Sequence, residues 1–448
     1  MRFSSFEQML GHYAQEDSPA LIFDQGQGKE TVSYADLLAL VKDRQASLKS
    51  EGKTSLGVFC NPTLPTVVTI LAAIGAKMQV VMLDEGQSDK IVADQLVAAD
   101  VDSLFADDPD TVREFSPFLT QGVEKDACRV LFFTSGTTSS SKAVVLTEQS
   151  LLASAYNGSA KLPLNREDTL LCLLPLSHVF GFICSLLWGL SSGAKVALGR
   201  GMRYIAQDFG YFEPTVVSVV PMLLGFLLKN NLLNPALHTV LVGAGDCPQP
   251  MLDAVKAMGK RVSFGYGLTE TSSGVALSVG GDPRAMEICP DDRIEIAPDG
   301  EILIWAPTCL MQGYYKDPVS TAQAVKDGWL YTGDLGTLDQ DGRLHVTGRK
   351  KEMLVLPSGT KIFLPEYEGA LIKALGNPDL AVVLLGDRPA LVIKAPKEQK
   401  EAITASLREV METLPRAQQI SKVVTVDYPL PRTATGKVKR WEIHISEE

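Results

Sequence analysis

Short apolar runs at 56–60, 80–83, 130–133, 216–220 and 240–242 read as buried strands. Helical stretches lie between them, and this alternation builds an α/β sheet with crossover helices. Residues 33–50 predict an amphipathic helix that starts on Ser33, whose hydroxyl can take an otherwise free N–H of the first turn. After about residue 285 the rhythm changes. Ile294-Glu295-Ile296, Glu301-Ile302-Leu303-Ile304 and Leu344-His345-Val346 read as short strands, and Asp299-Gly300 and Asp341-Gly342 as their hairpin turns. From Thr169 to Ala194 there is no Asp, Glu, Lys or Arg, a length that approaches a membrane span. Pro175, Ser177, His178 and Gly181 interrupt it. The pattern predicts a strand at 170–174, a turn at 175–181 and an apolar helix at 182–190 instead of a span.

Composition narrows the class. The chain has 448 residues, 45% apolar and 21% charged, enough to bury large cores in several domains. Its net charge of −11 argues against a dedicated nucleic-acid binder, which needs a basic face. Seven Cys with no CxxC pair and five scattered His predict neither a disulfide scaffold nor a zinc site. With no signal-peptide run at the N-terminus, a reducing cytoplasm is the expected location. Charge is uneven: residues 349–448 hold 16 basic and 13 acidic side chains, leaving −14 on the rest. A slightly basic cap on an acidic body suits closure over a phosphate-bearing ligand, and ordinary surface variation explains it equally.

One segment carries the chemistry. The strand Val130-Leu131-Phe132-Phe133 runs into Thr134, Ser135, Gly136, Thr137, Thr138, Ser139, Ser140 and Ser141, then Lys142. Small residues let backbone N–H groups approach a phosphate, hydroxyls add donors, and Lys supplies a point charge. This is not a Walker loop, because no Gly precedes Lys142 and Ala143 follows it. A polar surface loop is the competing reading.

The segment resembles the signature loop of the AMP-forming acyl-adenylate ligase superfamily, which holds acyl-CoA synthetases, adenylation domains and luciferases. It departs from that pattern at Ser139, where Gly is usual, and at Ser141, where Pro is usual. Further segments resemble family motifs in the same order. Leu174-Pro175-Leu176-Ser177-His178-Val179-Phe180-Gly181 matches the motif that lines the acyl tunnel, although a histidine beside apolar residues is more often a core residue. Gly243-Ala244-Gly245 matches the strand end that packs on adenine, where missing side chains permit close approach. In Gly265-Tyr266-Gly267-Leu268-Thr269-Glu270, Tyr266 could stack on a purine, Thr269 reach the α-phosphate and Glu270 ligate Mg²⁺. Asp334 matches the acceptor of the ribose hydroxyls, Arg349 a ribose or phosphate contact, and Lys351 the interdomain hinge. Ser358-Gly359 matches the loop that approaches the acceptor thiol. Pro431-Arg432-Thr433-Ala434-Thr435-Gly436-Lys437 matches the motif that carries the catalytic lysine, Lys437.

The resemblance implies an α/β fold. A large N-terminal domain (1–348) would hold mixed sheets flanked by helices and a small β-barrel-like part, followed by a smaller mobile α+β domain (349–448). It implies ATP-dependent conversion of a carboxylic acid to acyl-AMP and pyrophosphate, then transfer to the thiol of CoA. Thr134 to Ser139 with Lys142 would hold the β- and γ-phosphates. Lys437 would cancel the repulsion between carboxylate and phosphate, and a turn about Lys351 would then admit the thiol. Amino-acid-activating relatives place an Asp just after the aromatic of the tunnel motif. Residues 179–183 carry none, so the expected acid lacks an α-amino group and is fatty or aryl. The Val355-Leu356-Pro357-Ser358-Gly359 run resembles fatty acyl-CoA ligases most. Expected cofactors and partners are ATP, Mg²⁺, the small-molecule acid and CoA, with a phosphopantetheine carrier protein as alternative acceptor and no nucleic acid. Two other classes compete: a degenerate binding protein that keeps the fold, and a kinase-like NTPase that would release ADP.

Overall fold

The computed structural model describes all residues except 16–17, 25, 27, 135–140, 357–360, 413, 433–437 and 444–448. The chain divides into two compact units. One holds Met1–Thr134, Ser141–Thr332 and Thr337–Val346; the other holds Gly333–Gly336 and the described residues from Thr347 onward.

Two large sheets frame the first unit. In the six-stranded sheet, Ser55–Phe59, Gln79–Leu83, Ser103–Phe105 and Arg129–Phe133 are parallel, and Ala143–Leu146 and Gly313–Tyr314 extend one edge antiparallel. Gln79–Leu83 and Ser55–Phe59 are buried throughout, as expected of parallel strands covered on both faces. The nine-stranded sheet has a parallel centre of Thr169–Cys172, Lys195–Leu198, Val216–Val219, Thr239–Val242 and Arg261–Leu268. A smaller sheet follows, in which Arg293–Ile296 and Glu301–Trp305 form the hairpin read at Asp299-Gly300.

Helix boundaries have local causes. Tyr34–Glu51 starts where Ser33 Oγ accepts from Asp36 N at 3.1 Å, and it ends on Gly52 at φ 69°. Glu148–Lys161 opens with a reciprocal box: Thr147 Oγ1 accepts from Ser150 N, and Ser150 Oγ accepts from Thr147 N, both at 3.0 Å. Glu148 itself is buried, accepting from Phe6 N at 2.7 Å and from Lys77 Nζ at 3.2 Å, which fastens the N-terminal helix to this one.

The uncharged stretch folds inside the protein, with two shifted boundaries. The strand ends at Cys172, two residues before the expected 174, and helical structure begins at Val179, three before the expected 182. The cause is crowding at the turn, where a Cβ on Gly181 would stand 2.1 Å from Pro175 O, so the chain can coil there only because Gly181 has none. The central six residues, Phe182–Leu187, form a π-helix. Among the described residues no helix is long and apolar enough to cross a membrane.

In the second unit, helix Leu364–Leu375 covers the sheet Leu380–Leu385, Arg388–Lys394 and Lys422–Val426. Leu371, Val382, Leu391 and Ile393 share its core. Arg440 Nη2 reaches both oxygens of Glu368 at 2.6 Å, a charge-assisted clamp across this unit.

Candidate active site

The phosphate-loop stem is built by strand pairing. Arg129–Phe133 and Ala143–Leu146 run antiparallel, so Thr134 and Lys142 face each other at the open end of the hairpin. Thr134 N donates to Lys142 O at 2.9 Å and Lys142 N donates to Thr134 Oγ1 at 3.2 Å. Ser141 Oγ donates to Thr134 O at 2.5 Å. A proline at position 141, the usual residue of the resembled pattern, could not make that bond. Ser135, Gly136, Thr137, Thr138 and Ser139 lie outside the described residues.

Lys142 and Glu270 are joined through a residue that sequence reasoning missed. Gly313–Tyr314 pairs with Ala143–Leu146, placing Tyr314 opposite Val144, two residues from Lys142. Lys142 Nζ lies 4.6 Å from the Tyr314 ring centroid, a cation–π distance. On the other side, Tyr314 Oη donates to Glu270 Oε1 at 2.7 Å, while Met311 N donates to Glu270 O at 2.7 Å. Burial and the Glu270 carboxylate push the Tyr314 phenol well above its ordinary pKa, so it stays a donor. Its phenol fixes one oxygen of Glu270, and no hydrogen bond to a described residue holds the other. A carboxylate oriented in this way beside a cation fits Mg²⁺ on a phosphate, a hard ion that takes one or two carboxylates plus substrate oxygens.

The segment Gly243-Ala244-Gly245 is more crowded than its glycines suggest. At Gly243 the space of a Cβ is filled by Phe180, whose Cζ would be 2.9 Å away, so this glycine makes room for a side chain of the protein. Ala244 has φ 62°, a strained value for a non-glycine residue, and it is exposed with Gly245. Tyr266 is 9% exposed and belongs to the core, presenting at most a rim. A Cβ on Gly267 would stand 1.7 Å from Ser273 O, which explains the glycine by backbone approach alone. Thr269 opens a short 3-10 turn, Thr269–Thr271, that carries Glu270.

His178 is not a core histidine. Its side chain is half exposed, and Nε2 lies 3.7 Å from Asp84 Oδ2. Asp84 follows the strand Gln79–Leu83, almost a hundred residues earlier, and no motif pointed to it.

In the second unit, Arg349 Nε and Asp334 Oδ1 form an ion pair of 2.9 Å in which Asp334 is buried and Arg349 half exposed. The backbone of Lys351 lies in the short turn Lys350–Glu352. Lys437 and the Ser358–Gly359 loop lie outside the described residues.

Known proteins resemble this chain over most of its length. Residues 109–315 match the AMP-binding enzyme family. A 2-succinylbenzoate–CoA ligase of Listeria monocytogenes serotype 4b is 30% identical over 344 residues, covering 72% of this chain and 71% of the relative. A probable acyl-activating enzyme of Arabidopsis thaliana is 29% identical over 352 residues, or 70% of this chain and 64% of that protein. The fold is that of Bacillus subtilis O-succinylbenzoate coenzyme A synthetase in complex with AMP, with TM-score 0.79, 24% identity and 98% of each chain covered. ATP-bound MatB of Rhodopseudomonas palustris shares it at TM-score 0.78 and 20% identity, again over 98% of each chain. On this likeness the chain belongs to the AMP-binding enzyme family and is an AMP-forming acid–CoA ligase.

Proposed function

We propose that this chain activates an aryl carboxylic acid with ATP, as acyl-AMP, and passes the acyl group to the thiol of CoA. The observation that carries the reading is the Lys142–Tyr314–Glu270 arrangement, which holds a phosphate-seeking cation and a metal-seeking carboxylate on one half-buried tyrosine. Bound Mg²⁺ would withdraw charge from the phosphates, and Glu270 is the residue to hold it. Lys142 and the hydroxyls of the stem orient the leaving pyrophosphate. Asp334 takes the ribose hydroxyls, with Arg349 fixing its carboxylate. No general base is needed, because a carboxylic acid of pKa about 4–5 is already an anion at neutral pH. Lys437 supplies the charge that lets this anion approach the α-phosphorus, and withdraws by rotation about Lys351 before the thiol attacks.

One set of residues argues against an amino acid, and one relative favours a ring acid. Residues 179–183 offer no carboxylate for an α-ammonium, and Asp84 already faces His178. The Listeria relative is a 2-succinylbenzoate–CoA ligase. Acid-dependent exchange of labelled pyrophosphate into ATP tests the first half-reaction across aryl, fatty and amino acids, and AMP is the expected product. Thioester formation with free CoA tests the second. Exchange with α-amino acids only, release of ADP, or transfer only to a phosphopantetheine carrier protein would overturn the corresponding part.

A further inference from the structure

Residues 309–315 form a strap between the two large sheets. On one side, Met311 N donates to Glu270 O and Ser272 Oγ donates to Cys309 O, both at 2.7 Å, which ties the strap to the turn after Arg261–Leu268. On the other side, Gln312 N donates to Val145 O at 2.9 Å and Tyr315 N to Ala143 O at 2.8 Å, which ties it to the strand that follows Lys142. Glu270 thus hangs from the nine-stranded sheet and Lys142 from the six-stranded one. Tyr314 meets both, through its hydroxyl and its ring face respectively.

Tyr314 is itself braced from behind. Its N–H donates to Thr321 Oγ1 at 2.8 Å, and that hydroxyl donates to Asp317 O at 2.8 Å, so its single proton is committed. Asp317 Oδ1 accepts from Ser320 N at 2.9 Å and caps the helix Pro318–Ala324. Gly313 has φ 145°, and a Cβ there would stand 2.9 Å from Thr321 Cγ2, so the strap passes close against this helix. Among the described residues Thr321 makes no hydrogen bond to Glu270 or Lys142, so it acts on them only through Tyr314.

We propose that Tyr314, braced by Thr321, is a positioning residue that couples metal binding to triphosphate binding. It sets the separation of Glu270 and Lys142, so a Mg²⁺–triphosphate that spans the two meets a site already ordered. Through this one phenol the site grips the triphosphate more tightly when Mg²⁺ is present, and by linkage grips Mg²⁺ more tightly when the triphosphate is present. This deepens the ligase reading and rests on its roles for Glu270 and Lys142.

Equilibrium dialysis of labelled ATP against the full chain, in EDTA and in excess Mg²⁺, tests it, because the ratio of the two dissociation constants reads the coupling. Tyr314→Phe keeps the ring for Lys142 and loses the bond to Glu270. It is expected to weaken ATP binding about fivefold in Mg²⁺ and to leave binding in EDTA unchanged. Thr321→Val is expected to show the same pattern, smaller, and carries the test if thermal melting shows that Tyr314→Phe does not fold. Tyr314→Leu, which removes the ring as well, is expected to weaken binding in EDTA too. In a Glu270→Gln background, Tyr314→Phe is expected to cause no further loss in Mg²⁺. An unchanged ratio in Tyr314→Phe, an equal loss in both buffers, or additive losses with Glu270→Gln overturns the proposal. Coupling that depends on Tyr314 in a chain without acid-dependent pyrophosphate exchange keeps the proposal and overturns the ligase reading; exchange with an unchanged ratio does the reverse.

Discussion

Two buried carboxylates of the first unit receive opposite treatment. At the floor of the nine-stranded sheet, Asp168 accepts from Asn165 N at 2.9 Å, and its Oδ1 lies 2.8 Å from both Thr215 Oγ1 and His238 Nε2. Burial alone would raise its pKa, yet the bonds from Asn165, His238 and Thr215 hold it below the usual value. Beside helix Glu148–Lys161, Asp292 receives Asn157 Nδ2 at 3.0 Å, while its Oδ1 and Asn157 Oδ1 have no partner among the described residues. Burial, with the Asp291 charge second, pushes Asp292 up to about 7. The saturated carboxylate is a fastener. The unsaturated one sits against the helix whose neighbouring turn carries Ser154, a buried hydroxyl with no partner among the described residues, so imperfect polar pairing gathers on that helix.

Four substitutions would break or sharpen this contrast. Asp168→Ala, which leaves three donors without their acceptor, is expected to cost about 3 kcal/mol in urea unfolding, with activity falling only as the protein unfolds. Glu270 is the intermediate case, one oxygen held and one open. Glu270→Gln is expected to cut pyrophosphate exchange about 100-fold, about 2.7 kcal/mol of barrier, with melting unchanged. Asp292 should reveal itself by pH. Its folded pKa lies above the ordinary carboxylate value, so the folded state holds the extra proton between about pH 4 and 7, and stability falls as pH rises through that window. Asp292→Asn is expected to flatten that fall and to add on the order of 2 kcal/mol at pH 8, read from melting at a series of pH values. A wild type whose melting temperature rises from pH 5 to 8 faster than that of the variant would contradict the assignment. Tyr314→Phe removes one neutral-to-charged bond and is expected to cost about 1 kcal/mol of stability, with a several-fold rise in KM for ATP.

Much of the frame could be read from residue order. The helix capped by Ser33 and the apolar strands around 56–60, 80–83 and 130–133 fell where local pattern put them, because propensity, burial and capping agree there. Motif order also led to Lys142 and Glu270. What joins them was not legible: Tyr314 meets both through a strand pairing some 170 residues apart, and no spacing rule encodes such a register. Asp84 beside His178 was hidden for the same reason. Gly243 was read as room for a base, whereas its space belongs to Phe180, a contact that only packing reveals. Ser154 carries no sequence signal at all, since a helical serine is ordinary until its burial is known.

The stem of the phosphate loop offers a last consequence. Where a proline ring stiffens a turn covalently, its rigidity survives heat and denaturant. In this chain Ser141 supplies a hydroxyl latch onto Thr134 O instead, and such a latch competes with water. On the proposed reading of this loop, mild warming or dilute urea should therefore weaken ATP binding well before the sheets melt, putting the working ceiling below the unfolding temperature.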